Sequence, residues 1–320
     1  MTPTPAGSTA VVRTVGLSKR YGDQYALADL DLEVARGEVL GYLGPNGAGK
    51  TTTIRLLLGL MRATAGRAWL FGLDAHHDAV EIHRRLAYVP GEANLWPALT
   101  GAETLHLLGR VHGVVDVAYR DELIERFALD PSKKVRAYSK GNRQKLTLIA
   151  ALMTRAELLL LDEPTSGLDP LMEQAFRAGI REAHERGQTV LLSSHILSEV
   201  EAVCDRVAIL RAGRLVEIGT LAEMRHLSAL SVEATFDGTP PPVAGVAGVS
   251  AVEVDGRALR CQVRGPVQPL LEVLTRAGVR QLLSREPSLE ELFLAHYGDG
   301  PAAAGEGAAA GSAGSAGRAG

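Results

Sequence analysis

The sequence predicts an α/β fold with a mostly parallel sheet over residues 10–225. Short apolar runs alternate there with stretches of helical periodicity, which is typical of strands joined by helices. Two of the apolar runs end in polar loops, residues 44–52 and the pair Asp162-Glu163. Ligands collect at the carboxyl ends of the strands in such sheets, so we expect both loops to take part in binding or chemistry.

The first elements of the sheet follow from the spacing of apolar residues. Apolar and acidic residues alternate over residues 30–34, which predicts a strand with one buried face. The apolar run 39–43 predicts a buried strand, and residues 50–58 predict a helix. We therefore expect the glycine-rich residues 44–49 to form the turn from a central strand into a helix.

This turn matches the phosphate-binding loop pattern at every fixed position. Its sequence is Gly44-Pro45-Asn46-Gly47-Ala48-Gly49-Lys50-Thr51-Thr52. The glycines let backbone N–H groups face a β-phosphate at the positive end of the following helix. Lys50 would reach the β- and γ-phosphates, and the Thr51 hydroxyl would bind Mg²⁺. The sequence therefore predicts a nucleotide-binding protein.

The second polar loop follows four consecutive leucines, residues 158–161, which predict a buried central strand. Asp162 and Glu163 come directly after it. In a phosphate-loop ATPase the first acid holds Mg²⁺ and the second polarises the attacking water. An apolar strand that ends in two acids is common, and it is the phosphate loop upstream that gives this pair a catalytic interpretation. A lone histidine, His195, follows a further predicted strand.

The remaining segments predict a helical subdomain and a small appendage. Residues 75–150 are richer in helical than in strand periodicity, and residues 299–320 are almost entirely Ala, Gly and Ser, which predicts a disordered tail. Residues 228–298 predict a small α+β domain. Its predicted strands are Val232–Phe236, Ala251–Val254 and Leu259–Val263, and its predicted helices are Pro269–Ala277 and Ser288–Tyr297.

Composition limits the classes of partner. With 34 basic and 37 acidic residues among 320, the net charge of -3 does not favour binding to nucleic acid. The two cysteines, Cys204 and Cys261, lack metal-ligand spacing and do not suggest a disulfide framework. No secretory signal is visible at the N-terminus, and the apolar runs are shorter than the ~20 residues of a membrane helix. We therefore expect a cytosolic protein that reaches a membrane only through a partner.

Several ordered motifs carry a resemblance to a known family. Residues 138–145 read Tyr-Ser-Lys-Gly-Asn-Arg-Gln-Lys, and residues 166–169 read Ser-Gly-Leu-Asp. Together with the phosphate loop, the acidic pair and His195, they make residues 10–220 similar to the nucleotide-binding subunits of ABC transporters. Tyr21 stands where that family stacks an aromatic ring on adenine.

The resemblance implies a pair of ATPase subunits that face each other head to tail. ATP and Mg²⁺ on the phosphate loop of one subunit would be contacted by the signature of the other. Glu163 would act as general base, His195 would bind the γ-phosphate, and Asp169 would communicate between the two sites. The predicted signature contacts are Ser139, Lys140, Gly141 and Asn142.

Three positions depart from the family pattern. Lys140 replaces the first glycine of the signature, and Asn142 replaces its glutamine. Gly91 stands where the family usually has a glutamine whose side-chain oxygen reaches Mg²⁺. Either Glu92 substitutes for it as a metal ligand or the metal takes another water, and the alternative for Glu92 is a solvated loop carboxylate.

The signature variant and the appendage resemble ATP-binding subunits of type-2 ABC exporters. The resemblance implies a separately encoded multi-spanning permease, a second ATPase subunit in a homodimer, a position on the inner face of the cell membrane, and export of a drug or antibiotic-like molecule.

One alternative is a soluble non-transport ABC ATPase. Such proteins carry two cores or a long coiled coil, and this sequence has neither. Another is an ATP-dependent regulatory sensor, which Glu163 and His195 disfavour and Gly91 keeps open.

Overall fold

The computed structural model describes residues 10–113, 116–226 and 230–285. Within them the strands are β1 (Ala10–Tyr21), β2 (Gln24–Ala35), β3 (Val39–Leu43), β4 (Ala65–Leu70), β5 (Leu73–Asp74), β6 (Leu86–Val89), β7 (Leu158–Asp162), β8 (Thr189–Ser194), β9 (Arg206–Arg211), β10 (Arg214–Thr220), β11 (Leu230–Phe236), β12 (Val249–Asp255), β13 (Ala258–Val263) and β14 (Val279–Arg285). The helices are α1 (Lys50–Leu57), α2 (Ala79–His83), α3 (Gly101–His112), α4 (Val117–Arg126), α5 (Lys140–Leu152), α6 (Pro170–Glu185), α7 (Leu197–Val203), α8 (Leu221–His226) and α9 (Gln268–Arg276).

A six-stranded sheet forms the centre of the fold, in the order β10-β9-β3-β8-β7-β6. Neighbouring strands from β9 to β6 are parallel, and only β10 runs antiparallel to its neighbour. Strands β3, β7 and β8 are buried along their whole length. A strand covered on both faces reads as a continuous apolar run, which explains the four leucines of β7. The predicted α/β fold with a mostly parallel sheet is confirmed.

The central sheet separates two hydrophobic clusters. Leu158 and Leu160 of β7 face the cluster shared with α1 and the antiparallel sheet β2-β1-β4-β5. Leu159 and Leu161 face the cluster shared with α3 to α6. Successive side chains of a strand point to opposite faces, so each apolar residue of β7 is used on one side or the other. Packing on both faces of the sheet holds β7 in place, and with it Asp162 at the carboxyl end of the strand.

The predicted helical region, residues 75–150, contains α2, α3, α4 and most of α5, but it also contains a strand. Residues 86–89 form β6, which pairs in parallel with β7 at the edge of the central sheet. Four residues are too few to show a strand period between helical stretches, so the periodicity of this region is mainly helical. Helix α3 begins at a capping box, in which Thr100 and Glu103 satisfy each other's backbone N–H groups.

A third sheet, in the order β12-β13-β11-β14, has its own hydrophobic cluster with α9. Its first three strands in chain order and α9 were predicted within a few residues, whereas β14 was not predicted. Strand β14 is exposed along most of its length, so it lacks the alternation of a half-buried strand. The predicted helix Ser288–Tyr297 and the predicted tail lie outside the described residues. No helix in the described part of the chain is both long and apolar enough to cross a bilayer.

Candidate functional site

The phosphate loop joins β3 to α1 in a conformation that requires glycine. Gly47 and Gly49 have φ angles of 81° and 111°, in the left-handed region that favours glycine. A Cβ atom at Gly49 would lie 2.5 Å from the carbonyl oxygen of Ala26, which leaves no room for a side chain. Gly49 is the N-cap of α1, so the loop ends at the N-terminus of that helix, where anions bind.

Lys50 lies buried at the first position of α1, with 6% of its surface exposed. Its ammonium group donates to the carbonyl oxygens of Gly44 (2.5 Å) and Pro45 (3.3 Å). The same nitrogen lies 3.1 Å from Oε1 of Glu163. The phosphate loop and the acidic pair therefore meet at one point, although 112 positions of sequence separate Lys50 from Asp162.

A cavity of about 300 Å³ opens beside this contact. It is lined by Ala26, Pro45, Asn46, Gly47, Gly49, Lys50, Thr51, Thr52 and Glu163. Most of the predicted phosphate-binding residues thus line one space with the predicted general base. A cavity of this size, with a lysine and backbone N–H groups on one wall and a carboxylate on another, fits a phosphate chain.

The two acids at the end of β7 are held by Ser193 of β8. The Ser193 hydroxyl donates to Oδ1 of Asp162 at 2.7 Å, and the Glu163 backbone N–H reaches the Ser193 carbonyl at 3.1 Å. Glu163 has a φ angle of 50°, which is uncommon for a residue with a side chain and costs about 1 to 2 kcal/mol. The neighbouring strand maintains this turn, which directs the Glu163 carboxyl toward Lys50.

His195 contacts Glu163 from the other side. Its Nδ1 lies 2.5 Å from Oε2 of Glu163, within hydrogen-bonding distance. The His195 side chain is half exposed, so Glu163 is its main anchor in this position. Glu163 therefore lies between Lys50 and His195, with one carboxylate oxygen toward each.

The signature residues lie at the start of α5, against the loop of residues 166–169. Ser139 is the N-cap of α5 and accepts from the Asn142 backbone N–H at 3.2 Å. Lys140 donates to Oγ of Ser166 at 3.2 Å. A Cβ atom at Gly141 would lie 2.7 Å from the carbonyl oxygen of Gly167, so only glycine fits there. Asp169 ends this loop as the N-cap of α6.

None of these signature residues, nor Asp169, lines the cavity beside Lys50 in the described part of the chain. Within one chain, the signature therefore does not border the cavity of the phosphate loop. Tyr21 also lies outside the lining of this cavity. Its ring is half exposed, with Nζ of Lys19 5.4 Å from the centroid and its hydroxyl bonded to Sδ of Met61. Its role as adenine platform stays a prediction.

The loop after β6 brings Gly91, and not Glu92, to the acidic pair. A Cβ atom at Gly91 would lie 3.2 Å from the Asp162 carbonyl oxygen and 3.7 Å from Cβ of Glu163. Glu92 is exposed and lines a different cavity together with Lys140 and Arg143. The interpretation of Glu92 as a solvated loop carboxylate is the one that this geometry favours.

The residues that would hold Mg²⁺ are Thr51, whose side chain carries a hydroxyl, and Asp162, whose side chain carries a carboxylate; of the two, Thr51 lines the cavity beside Lys50. Both are oxygen ligands, which Mg²⁺ requires, and phosphate oxygens and water normally complete its shell. Within the described residues, no group of three His, Cys, Asp or Glu side chains could hold a metal by itself. The residues present therefore fit a Mg²⁺ ion that arrives with a nucleotide, and they do not form a separate metal centre.

We predict that Gly91→Gln lowers the Mg²⁺ concentration needed for half-maximal ATP turnover about two- to fivefold. The new amide oxygen would reach the space beside Asp162 and Glu163, while Gly91→Ala, which adds only Cβ, serves as the matched control. The measurement is a Mg²⁺ titration of phosphate release at saturating ATP. Equal Mg²⁺ dependence in all three proteins would show that this loop does not reach the metal.

Two further residues, Ser193 and Gln144, support the site without being among its predicted contacts. Gln144 is 1% exposed, and its amide donates to the Pro164 carbonyl oxygen at 3.0 Å, which ties α5 to the turn after Glu163. Ser193 could have been found as a polar residue at the end of an apolar strand parallel to β7. The bond from Gln144 has no sequence signal, because it depends on how α5 packs against that turn.

Comparisons with known proteins identify the family of this chain. The protein-family model described as ABC transporter matches residues 27–166. The daunorubicin resistance ATP-binding protein DrrA3 of Streptomyces coeruleorubidus is 39% identical over 300 residues, covering 89% of this chain and 95% of that protein. The Nod factor export ATP-binding protein I of Ralstonia nicotianae is 35% identical over 303 residues, covering 90% and 94%. A solved ATP-binding subunit of an ABC transporter has a TM-score of 0.63 at 34% identity, covering 67% of this chain and 92% of that one.

The fold and the site together define a phosphate-loop nucleotide-binding protein. The loop between β3 and α1 faces an acidic pair and a histidine at the carboxyl edge of a parallel sheet. The relatives extend over nearly the whole chain at more than a third identity. The chain belongs to the ABC transporter family and is one of its ATP-binding subunits, a class of ATPases.

Proposed function

We propose that this chain hydrolyses ATP with Mg²⁺ to energise export of a drug or antibiotic-like small molecule through a separately encoded permease. The observation that carries the proposal is the contact of Glu163 with both Lys50 and His195 at the edge of the phosphate-loop cavity. A nucleotide-binding protein without turnover has no need of a carboxylate held at this position.

The same contacts give each residue a task in hydrolysis. Phosphate oxygens compete with Glu163 for the Lys50 ammonium, so nucleotide binding releases one oxygen of the carboxylate. That oxygen can accept a proton from a water that attacks the γ-phosphate, while His195 keeps the carboxyl oriented through its other oxygen. Mg²⁺ bound by Thr51 and Asp162 would neutralise charge on the phosphates.

The separation of signature and phosphate loop supports a dimer. Ser139 and Gly141 of a second copy would contact the nucleotide held on Lys50 of the first, and Lys140 and Asn142 would flank that contact. Asp169, exposed at the end of the adjoining loop, would join the two sites. ATP would then be part of the interface, and its hydrolysis would let the two subunits separate.

The names of the relatives support the transport assignment. One is a daunorubicin resistance protein and another is a Nod factor export protein, and both are ATP-binding proteins. The two names specify different compounds, so we infer that the permease selects the exported molecule. The chain would work at the cytoplasmic face of the membrane, bound to that permease. The absence of a basic surplus disfavours a nucleic acid partner.

The two alternatives lack such support. A soluble non-transport ABC ATPase would have relatives of that kind over the whole chain, whereas these relatives are resistance and export proteins. A regulatory sensor would tolerate loss of the contact between Glu163 and His195, which is present here at 2.5 Å.

Ser139→Arg tests the proposed head-to-tail arrangement. Because Ser139 does not line the cavity of its own chain, we expect ATP affinity within about twofold of the wild type. Turnover should fall at least about 30-fold, since the long side chain would keep the second copy from the nucleotide. The measurements are nucleotide binding by fluorescence and phosphate release on the full chain.

The matched control is Ser250→Arg, at an exposed position of β12. It should leave both quantities unchanged. Specific activity of the wild type should also rise with protein concentration if a dimer is the active form. Normal turnover by Ser139→Arg would contradict the arrangement in trans.

A further inference from the structure

Glu199 is a buried carboxyl that the proposed mechanism does not use. It lies in α7, four residues after His195, and only 1% of its surface is exposed. Its Oε2 accepts from the Ser194 hydroxyl at 2.9 Å. Its Oε1 has no hydrogen-bond partner among the described residues. A buried carboxyl with only one oxygen in a hydrogen bond costs folding free energy, which points to a role for the bond that it does make.

The carboxyl is bonded to the residue that precedes His195. Ser194 immediately precedes His195 in the sequence, and its hydroxyl is the donor to Glu199. Burial raises the pKa of the Glu199 carboxyl, and the hydroxyls of Thr165 and Ser194 offset part of that rise. The bond from Ser194 therefore ties the carboxyl to the loop that carries His195.

The two consecutive serines at the end of β8, Ser193 and Ser194, make different hydrogen bonds. The hydroxyl of Ser193 donates to Asp162 and also accepts from the Glu163 backbone N–H at 3.2 Å. The hydroxyl of Ser194 accepts the Ile196 backbone N–H at 2.9 Å while it donates to Glu199. It thus closes the turn that contains His195. Since the His195 side chain is half exposed, its position depends on this turn and on Glu163.

From these contacts we infer that Glu199 is a positioning residue, which holds the turn that contains His195 through the Ser194 hydroxyl. The inference rests on the proposed hydrolysis, in which His195 orients Glu163. Glu199 does not line the phosphate-loop cavity and works through its neighbours. Glu199 and Ser194 are each 1% exposed, so the hydrogen bond between them is shielded from water.

Glutamine can replace Glu199 as the acceptor of this hydrogen bond. Its amide has nearly the same shape as the carboxyl, and the amide oxygen can accept from the Ser194 hydroxyl. Glutamine is therefore the conservative substitution, and alanine removes the contact with Ser194.

The test compares Glu199→Ala, Glu199→Gln and Ser194→Ala in the full chain. We expect Glu199→Ala to lower kcat about tenfold with the KM for ATP within about twofold, and Glu199→Gln to recover most of the loss. Ser194→Ala should lower kcat about threefold to tenfold. Ser198→Ala, an exposed serine on the same helix, is the matched control. Circular dichroism and thermal unfolding report whether each variant folds.

Coupling to His195 separates positioning from a general loss of structure. In a His195→Ala background, adding Glu199→Ala should change kcat less than about twofold, because the group through which it acts is already gone. An unchanged kcat in Glu199→Ala, or a full tenfold loss in both backgrounds, would overturn the inference. Should Glu199→Ala not fold, Ser194→Ala decides: a normal kcat overturns the inference, and a loss that disappears in the His195→Ala background supports it.

Failure of this inference is distinct from failure of the proposed function. If the wild type shows no Mg²⁺-dependent phosphate release that Glu163→Gln removes, the proposed hydrolysis is wrong. If that release is present and the Glu199 and Ser194 variants leave kcat unchanged, only the positioning role is wrong.

Discussion

Glu163→Gln is expected to lower ATP turnover at least about 100-fold while ATP still binds. The amide cannot accept the proton of the attacking water, and general bases contribute about 10²- to 10⁴-fold. Binding should be as tight as in the wild type or tighter, because Glu163 lies 3.1 Å from the Lys50 ammonium and competes with phosphate for it. The measurements are phosphate release and nucleotide affinity on the same preparation.

Glu185→Gln is the matched control, since Glu185 is exposed at the end of α6. It should leave turnover and affinity unchanged. Size-exclusion chromatography with ATP should show a larger dimer fraction for Glu163→Gln than for the wild type, because hydrolysis no longer reopens the pair. Turnover at the wild-type rate in Glu163→Gln would remove Glu163 from the role of general base.

Lys50→Ala is expected to abolish measurable ATP binding, with affinity reduced at least about 30-fold. The variant removes a charged donor from the phosphate site, and charge-assisted hydrogen bonds contribute about 1.5 to 3 kcal/mol each. It also leaves the buried side of Glu163 without its cation, which adds repulsion toward phosphate. Fluorescent nucleotide titration measures the affinity.

Two further variants test whether the charge of Lys50 causes the expected loss of affinity. Lys50→Met keeps most of the side-chain volume without the charge, and it should lose affinity to the same extent if charge is what matters. Lys133→Ala, at an exposed lysine, should bind ATP normally. An affinity within about twofold of the wild type in Lys50→Ala would mean that nucleotide does not bind on this loop.

The parts of the site that sequence predicts are those with a fixed local pattern. The phosphate loop must place glycine at positive φ between a strand and a helix, so Gly47 and Gly49 predict the loop directly. The buried strand β7 can also be predicted from the sequence, because a strand that is covered on both faces is apolar along its length. Both predictions need only residues that are neighbours in sequence.

The contacts around Glu163 were beyond such reasoning. Lys50, Glu163 and His195 come from three different strand ends, and only the parallel order of β3, β8 and β7 brings them within 3.1 and 2.5 Å of one another. The left-handed backbone of Glu163 has no sequence signal either, because neighbouring strands impose it. The choice between the two interpretations of Glu92 also depended on the structure, because the path of the turn after β6 decides which residue approaches Asp162.

The measurement that tests the central claim most directly is recovery of the chain from membranes of the organism that encodes it. Tagged full-length protein would be extracted in mild detergent with ATP and Mg²⁺, and the co-purifying proteins identified by mass spectrometry. The account predicts a multi-spanning permease in stoichiometric amount with two copies of this chain. A chain absent from the membrane fraction, with only soluble partners recovered, would contradict it.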